Sequence, residues 1–261
     1  MTIARADSKA LTAQLSSLEA DFAALKARGL SLDLTRGKPA SEQLALSEAL
    51  DGILDGDFTS PGGTDVRNYG GIDGLAELRV LFGELYDLSA EETLIGGNSS
   101  LQLMYLTLDF ALNHGFDGPG SAWRDRGEVK FLCPSPGYDR HFAVCEHLGI
   151  DMIPVTMTDA GPDMASVEQL VREDSSIRGI WCVPRFSNPT GCVYSDETVE
   201  RLAALPRAAE AGFLVMWDNA YAVHDFEFPR APLAPILELA RAAGTGDHIA
   251  LFTSTSKITY A

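Results

Sequence analysis

A chain of 261 residues with 46% hydrophobic residues is long enough to bury the core of one large α/β domain, or of one domain with a small appendage. Its formal net charge of −17 opposes nonspecific attraction to nucleic acid and to anionic membranes, so we expect neither as a partner. The four cysteines lack CxxC spacing, and no apolar run reaches the roughly 18 residues of a membrane span. The basic residues near the N-terminus are not followed by an apolar run, so we predict a cytoplasmic protein with reduced cysteines and no metal site.

The first part of the chain is predicted to be helical. Leucine and phenylalanine recur every three or four residues over 8–28, which predicts an amphipathic helix that Gly29 ends. A short extended piece follows over 32–39. Ser41 is then suited to cap a helix that runs to residue 54.

A loop separates this segment from the rest of the chain. Residues 59–74 are rich in Gly, Pro, Asn and Asp, which is typical of an ordered loop. We therefore predict two parts: an N-terminal helical segment over 1–58 and a large domain over 59–261.

The large domain shows a regular alternation of two patterns. Helical patterns occur around 74–87, 99–113, 138–148, 163–173, 195–211 and 233–243. Short apolar runs occur at 93–96, 129–133, 152–157, 179–183, 213–217 and 249–253. Alternation of this kind predicts an α/β fold, a three-layer sandwich in which a mostly parallel sheet is flanked by helices.

Polar and aromatic side chains follow five of the predicted strands. The segments after these strands are Gly96-Gly-Asn-Ser-Ser100, Cys133-Pro-Ser-Pro-Gly-Tyr138, Pro184-Arg-Phe-Ser-Asn-Pro-Thr-Gly191, Asp218-Asn-Ala-Tyr221 and Thr253-Ser-Thr-Ser-Lys257. Ligands bind at the carboxyl ends of the strands in such sheets, so we expect these segments to form one site.

Lys257 is the centre of the predicted site. A lysine just past a buried strand is partly desolvated, which favours the neutral amine that attacks carbonyl groups. The hydroxyls of Ser254 and Ser256 beside it suit an anionic group, and together they suggest an aldehyde cofactor that carries a phosphate. The alternative is a solvated surface lysine.

Two further segments fit the same cofactor. Asn98, Ser99 and Ser100 open a predicted helix, where free N–H groups and the helix dipole favour a phosphate. Asp218 is a carboxylate in an apolar setting, and a protonated pyridine nitrogen is a suitable partner for it. The alternatives are ordinary ones: serines that only cap the helix, and an aspartate that caps the next helix.

Three more residues are candidates for contacts with the ring of this cofactor. The side chains of Asn188 and Tyr221 are of a type able to donate a hydrogen bond to a ring oxygen. Tyr138 has an aromatic ring able to stack on a planar group. Each also has a structural alternative, because Asn-Pro-Thr-Gly is good turn chemistry and tyrosines commonly seal the edge of a core.

The order and separation of three motifs carry a family resemblance. Asn188-Pro-Thr-Gly191, Asp218-Asn-Ala-Tyr221 and Ser254-Thr-Ser-Lys257 resemble the pyridoxal-phosphate aminotransferases of fold type I, class I. The piece over 32–39 and the loop Tyr69-Gly-Gly-Ile-Asp-Gly74 are also similar to features of this family. The motifs Leu-Thr-Arg-Gly-Lys-Pro and Gly-Asn-Ser-Ser-Leu most resemble those of a bacterial subgroup assigned as aspartate aminotransferases. This subgroup is related to the effector domains of MocR-type regulators.

The resemblance implies a role for each site residue. It implies that Lys257 forms the internal aldimine and later moves the proton between Cα and the cofactor, and that Asp218 pairs with the pyridinium. It implies that Asn188 and Tyr221 bind the ring oxygen, that Tyr138 stacks on the ring, and that the phosphate is held by Asn98, Ser99, Ser100 and Ser254. Tyr69 matches a tyrosine that reaches the phosphate of the neighbouring subunit, which implies a homodimer with shared sites. Gly37 matches a point where the backbone approaches the substrate carboxylate.

The chain departs from the family pattern at its end. The family has an arginine several residues beyond the lysine and a C-terminal small domain with a second arginine that binds the substrate carboxylate, and this chain stops at Ala261. We therefore expect a piece of a longer protein, with the C-terminal small domain absent and this piece inactive alone. The resemblance implies that the parent protein transfers an amino group from an L-amino acid, aspartate or glutamate as the best guess, to a 2-oxo acid. The alternatives are a lyase or decarboxylase of the same fold, the ligand-sensing domain of a MocR-like regulator, or a fragment without cofactor.

Overall fold

The computed structural model describes residues 7–32, 37–86, 88–228 and 232–258. Contacts divide the chain into two compact units, Met1–Ala45 and Leu46–Ala261. This division falls earlier in the chain than the predicted boundary between residues 58 and 59, and the assignment of the first segment to a small domain stays a prediction. In the parts of the chain that the structure describes, no helix is both long enough and apolar enough to cross a membrane.

The described part of the first unit contains two helices. The predicted amphipathic helix is present as α1 (Ser8–Ala27), and the side chain of Asp7 caps it. The predicted helix from Ser41 to residue 54 is wrong as a continuous element, because α2 ends at Ala45. Gly52 and Asp55 further along have positive φ angles of 70° and 39°, which no helix accommodates. Of the predicted extended piece, residues 33–36 lie outside the described part.

The second unit alternates helices and strands as predicted. Its helices are α3 (Ala76–Leu85), α4 (Ser100–Asn113), α5 (Asp139–Leu148), α6 (Met164–Glu173), α7 (Asp196–Ala204) and α8 (Ile236–Ala243). Its strands are β1 (Lys130–Ser135), β2 (Asp151–Thr158), β3 (Gly161–Pro162), β4 (Ile177–Cys182), β5 (Leu214–Asp218) and β6 (Ile249–Phe252).

The strands form one six-stranded sheet in the order β3-β2-β1-β4-β5-β6. All neighbouring pairs are parallel except β2 with β3. The chain runs outward from β1 to β2 and then returns to β4 on the other side of β1, so the strand order reverses between β1 and β4. Such a reversal opens a crevice at the carboxyl ends of the strands, which is where ligands bind in sheets of this kind.

Side chains of successive strand residues pack on opposite faces of the sheet. Phe131 lies in a buried cluster with residues of α4 and α5, while the next residue, Leu132, lies in a second cluster with residues of α6, α7 and α8. In the same way, Trp181 lies in the cluster of Phe131, and Ile180 lies in the cluster of Leu132. This alternation produces three layers, so the predicted fold class is confirmed.

Two strand predictions differ from the structure. Residues 93–96 form no strand and join no ladder among the described strands, and Ile95 donates its N–H to the backbone carbonyl oxygen of Asp73 instead. The antiparallel strand β3 is not predicted, since two residues are too few to show a period.

Candidate active site

The carboxyl ends of four neighbouring strands meet at one edge of the sheet. Tyr138 follows β1, Asn188 follows β4, Asp218 ends β5 and Lys257 follows β6. Because β1, β4, β5 and β6 are adjacent and parallel, residues separated by more than a hundred positions in sequence are brought to the same edge. This is the edge predicted to carry the site.

Asp218 is buried at this edge with half of its carboxylate unsatisfied. It is 5% exposed, and its Oδ2 lies 3.0 Å from Nε2 of His141. A carboxylate accepts the hydrogen bond, so Nε2 of His141 is the protonated nitrogen. The other oxygen, Oδ1, is buried and has no hydrogen-bond partner among the described residues. A buried acceptor without a donor is unfavourable, so this oxygen is suited to receive an N–H from a ligand.

The capping alternative for Asp218 does not fit the structure. Asp218 is the last residue of β5, and the next helix begins only at Ile236. The side chain instead faces His141, which belongs to α5.

His141 is held rigidly by its neighbours. It is 1% exposed, and its ring stacks on Trp181 with centroids 4.2 Å apart and an interplanar angle of 8°. Tyr138 packs against the same ring edge-on, at 5.0 Å. The indole N–H of Trp181 in turn donates to the sulfur of Cys145 at 3.2 Å. These contacts fix the orientation of the donor that Asp218 accepts.

His141 carries no motif that predicts this role. The signal available in the sequence is its position three residues after Tyr138, a spacing that places two side chains on one face of a helix or its first turn. A histidine at such a spacing is common in ordinary amphipathic helices, so the contact with Asp218 becomes visible only in the fold.

Lys257 lies close to Tyr221 at the end of β6. Its Nζ is 5.1 Å from the centroid of the Tyr221 ring. The expected partial desolvation of Lys257 is wrong for the described chain, because the side chain is exposed and β6 is only half-buried. β6 is the last strand in the sheet order, so its outer edge has no neighbouring strand among the described residues, and Lys257 lies in the loop that follows it.

Tyr221 is a neutral hydrogen-bond donor in this setting. Burial raises the pKa of Tyr221, and the negative charge of Asp218 raises that pKa further. The phenol therefore keeps its proton at neutral pH and remains a hydrogen-bond donor.

A cluster of hydroxyls joins the loop after β6 to the start of α4. Ser256 donates its hydroxyl to the carbonyl oxygen of Asn98 at 3.0 Å. The hydroxyls of Ser254 and Ser256 are 2.5 Å apart, and the N–H of Ser256 donates to the Ser254 hydroxyl at 3.0 Å. Two segments that were predicted to bind the same anion are thus neighbours.

The N-terminus of α4 completes this cluster. Ser99 caps the helix by accepting a hydrogen bond from the N–H of Gln102, and Ser100 is the first helical residue. The capping alternative is therefore correct for the side chain of Ser99. The first N–H groups of a helix still point outward with a partial positive charge, which suits an anion such as a phosphate.

Two predicted site residues of the second unit, Asn188 and Tyr69, have exposed side chains. Asn188 is exposed, and its side-chain amide makes no hydrogen bond within the described ranges. Tyr69 is 98% exposed in the loop before α3. Gly37 belongs to the first compact unit and is described with that unit.

A groove in the second unit shares two residues with the site. It has a volume of about 830 Å³ and is lined mainly by apolar side chains of α3, α4 and β6. Asn98 and Ser254 line it, whereas Asp218, Tyr221 and Lys257 do not. The proposed phosphate-binding residues therefore border this groove, whereas Asp218, Tyr221 and Lys257 lie outside it.

Comparison with known proteins places these features in a family. The family described as aspartate amino-transferase matches residues 6–261 of the chain. An aspartate aminotransferase of Corynebacterium glutamicum is 45% identical over 243 residues, which make up 92% of this chain and 55% of that protein. The chain thus spans about half the length of this curated relative.

Solved structures agree with the sequence match. The crystal structure of an aspartate transaminase from Corynebacterium glutamicum has a TM-score of 0.86 and 42% identity, and the match covers 97% of this chain and 60% of that chain. The α-aminoadipate aminotransferase of Thermus thermophilus, solved in complex with N-(5′-phosphopyridoxyl)-L-leucine, has a TM-score of 0.67 and 26% identity, with 86% and 52% covered. These findings confirm the resemblance carried by the three motifs. The chain belongs to the aspartate aminotransferase family.

Proposed function

We propose that the protein carrying this chain is a pyridoxal-phosphate-dependent aminotransferase. In this proposal it moves an amino group from an L-amino acid, aspartate or glutamate, to a 2-oxo acid. The observation that carries the proposal is the buried Asp218 carboxylate, which is oriented by His141 and has one oxygen without a donor among the described residues. Family membership and the amine of Lys257 at the same sheet edge support it.

The residues at the strand ends suit each part of pyridoxal phosphate. Asp218 would accept the ring N–H at its unpartnered oxygen, and Tyr138 would cover one face of the ring. Tyr221 and Asn188 would donate to the ring oxygen. The phosphate would lie at the hydroxyl cluster and the start of α4, held by Asn98, Ser99, Ser100 and Ser254.

Each residue then has a definite chemical task. When bound, pyridoxal phosphate supplies an electron-withdrawing ring that stabilises negative charge at the substrate Cα. Lys257 supplies the amine that holds the cofactor and afterwards removes and returns the proton at Cα. The ionised Asp218 keeps the ring nitrogen protonated, and the phenol of Tyr221 stabilises the ring oxygen by donating its hydrogen bond.

The proposal extends to the assembly of the parent protein. We place it in the cytoplasm as a homodimer with shared sites, in which Tyr69 reaches the phosphate held by the partner and Gly37 approaches the substrate carboxylate. Segment 1–58 would belong to a small domain and 59–261 to the large cofactor domain. The near-complete exposure of Tyr69 supports a role outside its own subunit.

Half-reactions of the full-length protein test this function. The protein loaded with pyridoxal phosphate is mixed with L-aspartate or L-glutamate, and the cofactor absorbance is followed. We expect the absorbance band to be lost with these donors and restored by a 2-oxo acid, while the D-enantiomers leave it unchanged. A band that no L-amino acid alters would contradict an aminotransferase.

A further inference from the structure

Three loops at the site edge are joined by contacts that the proposed cofactor set does not include. Arg185 lies in the loop after β4, three residues before Asn188, and Asp225 lies in the loop after β5, four residues beyond Tyr221. Nη2 of Arg185 is 2.5 Å from Oδ1 of Asp225. Their side chains are 8% and 4% exposed, so the ion pair is nearly withdrawn from water.

Aromatic residues beside this ion pair join the same two loops. The rings of Phe186 and Phe226 have centroids 6.2 Å apart, and the guanidinium carbon of Arg185 is 5.6 Å from the Phe186 ring. Phe186 has a φ angle of +48°, a conformation that bulky residues rarely adopt. A strained backbone of this kind persists only where its surroundings hold it.

His224 extends the connection to the loop after β6. Its Nε2 lies 3.2 Å from the backbone carbonyl oxygen of Lys257, and because a carbonyl only accepts, Nε2 carries the proton and donates. The His224 ring also packs edge-on against Tyr221, with centroids 5.7 Å apart and an interplanar angle of 87°. The loop that carries Tyr221 therefore contacts the loops on both sides of it.

The energetics of buried ion pairs favour a positional role for these contacts. Removing two charges from water costs about as much as their attraction returns, so an apolar pair of similar volume would stabilise the fold equally well. What an apolar pair does not supply is a directional contact between two particular loops. The ion pair is therefore better explained by where it holds Asn188 and Tyr221 than by a gain in stability.

We propose that Arg185, His224 and Asp225 are positioning residues that tie the three loops together and so set the placement of Tyr221, Asn188 and Lys257. Their contacts within the described ranges are with neighbouring loops and not with the proposed reacting atoms, so they act through the residues that hold those atoms. This inference rests on the proposed function and specifies which residues outside the cofactor contacts that function requires.

Variants of the full-length protein test the inference with two readouts other than activity. The first readout is the dissociation constant for pyridoxal phosphate, and the second is the pH midpoint of the absorbance of the bound cofactor. In Asp225→Ala and in His224→Phe we expect the dissociation constant for pyridoxal phosphate to rise roughly tenfold, because a tenfold change corresponds to the loss of about one hydrogen bond. We expect the midpoint to rise by on the order of one pH unit, because a ring oxyanion that loses its donor holds the neighbouring proton more strongly.

Conservative variants separate positioning from general stability. His224→Gln keeps an N–H donor at a similar reach and should restore most of the wild-type midpoint, while His224→Phe keeps a ring but no donor. Arg185→Lys keeps the charge but loses the planar guanidinium, so its pH midpoint should lie between those of the wild-type protein and Asp225→Ala. Asp174→Asn breaks an ion pair at the opposite, amino-terminal edge of the sheet and should leave both readouts unchanged.

The outcomes distinguish this inference from the function on which it rests. Wild-type values in the folded Asp225→Ala and His224→Phe variants would overturn the positioning role and leave the proposed function intact. If Asp225→Ala does not fold, the positioning role is tested with the His224 and Arg185 variants. A wild-type protein that binds no cofactor would overturn the proposed function and this inference with it.

Discussion

At the scale of single residues, the chemistry of the site depends on one carboxylate that is only half satisfied. Asp218 accepts one hydrogen bond from His141, and its second oxygen is buried without a donor among the described residues. An unmet buried acceptor costs about 1–3 kcal/mol, which a ligand with a matching N–H recovers on binding. His141 is the residue that keeps the carboxylate aimed, because its own ring is locked against Trp181.

Replacing the His141 ring tests this arrangement. His141→Phe keeps a ring that stacks on Trp181 but cannot donate to Asp218, so we expect the free energy of unfolding to fall by about 1–3 kcal/mol. Denaturant unfolding of the full-length protein measures the change. His147→Phe is the matched control, since His147 lies on the same helix and is exposed, and it should change stability by less than about 0.5 kcal/mol. Equal losses in the two variants would contradict the role given to His141.

At the scale of elements, the two edges of the sheet are built differently. The carboxyl ends of the strands lead into loops that carry the candidate site, whereas the amino ends are joined by hydrogen bonds and an ion pair. Asp174, between α6 and β4, accepts hydrogen bonds from the N–H and hydroxyl of Ser176 and from Lys130 at the start of β1. These contacts lower the pKa of Asp174 to about 2, with the Ser176 hydroxyl as the largest cause.

The lowered pKa predicts how stability depends on pH. A carboxyl group whose pKa is lower in the folded state stabilises the fold above its ordinary pKa near 3.8, and this stabilisation is lost as the pH falls from about 4 to about 2. We expect Asp174→Asn to cost roughly 1 kcal/mol at neutral pH, because the side chain is partly exposed, and to flatten the pH dependence below 4. Unfolding curves at several pH values measure this, and an unchanged acid slope in the variant would contradict it.

At the scale of the whole molecule, the sequence predicts the repeated strands and helices but misses contacts between side chains that are far apart in the sequence. Apolar runs with polar ends identify the central strands and the edge that carries the candidate site, because strand period and the geometry of parallel sheets are local rules. His141 with Asp218, and Arg185 with Asp225, are contacts between residues 77 and 40 positions apart, and nothing in either segment alone specifies its partner. The exposure of Lys257 likewise depends on what covers β6, which is a property of the sheet and not of the lysine motif.

The most direct test of the central claim is to locate the lysine that captures the cofactor. The full-length protein is incubated with pyridoxal phosphate, reduced with borohydride, digested and analysed by mass spectrometry. We predict a phosphopyridoxyl group on the peptide that contains Lys257, and none on that position in Lys257→Ala. A label carried by a different lysine, or no label in the wild-type protein, would contradict the account.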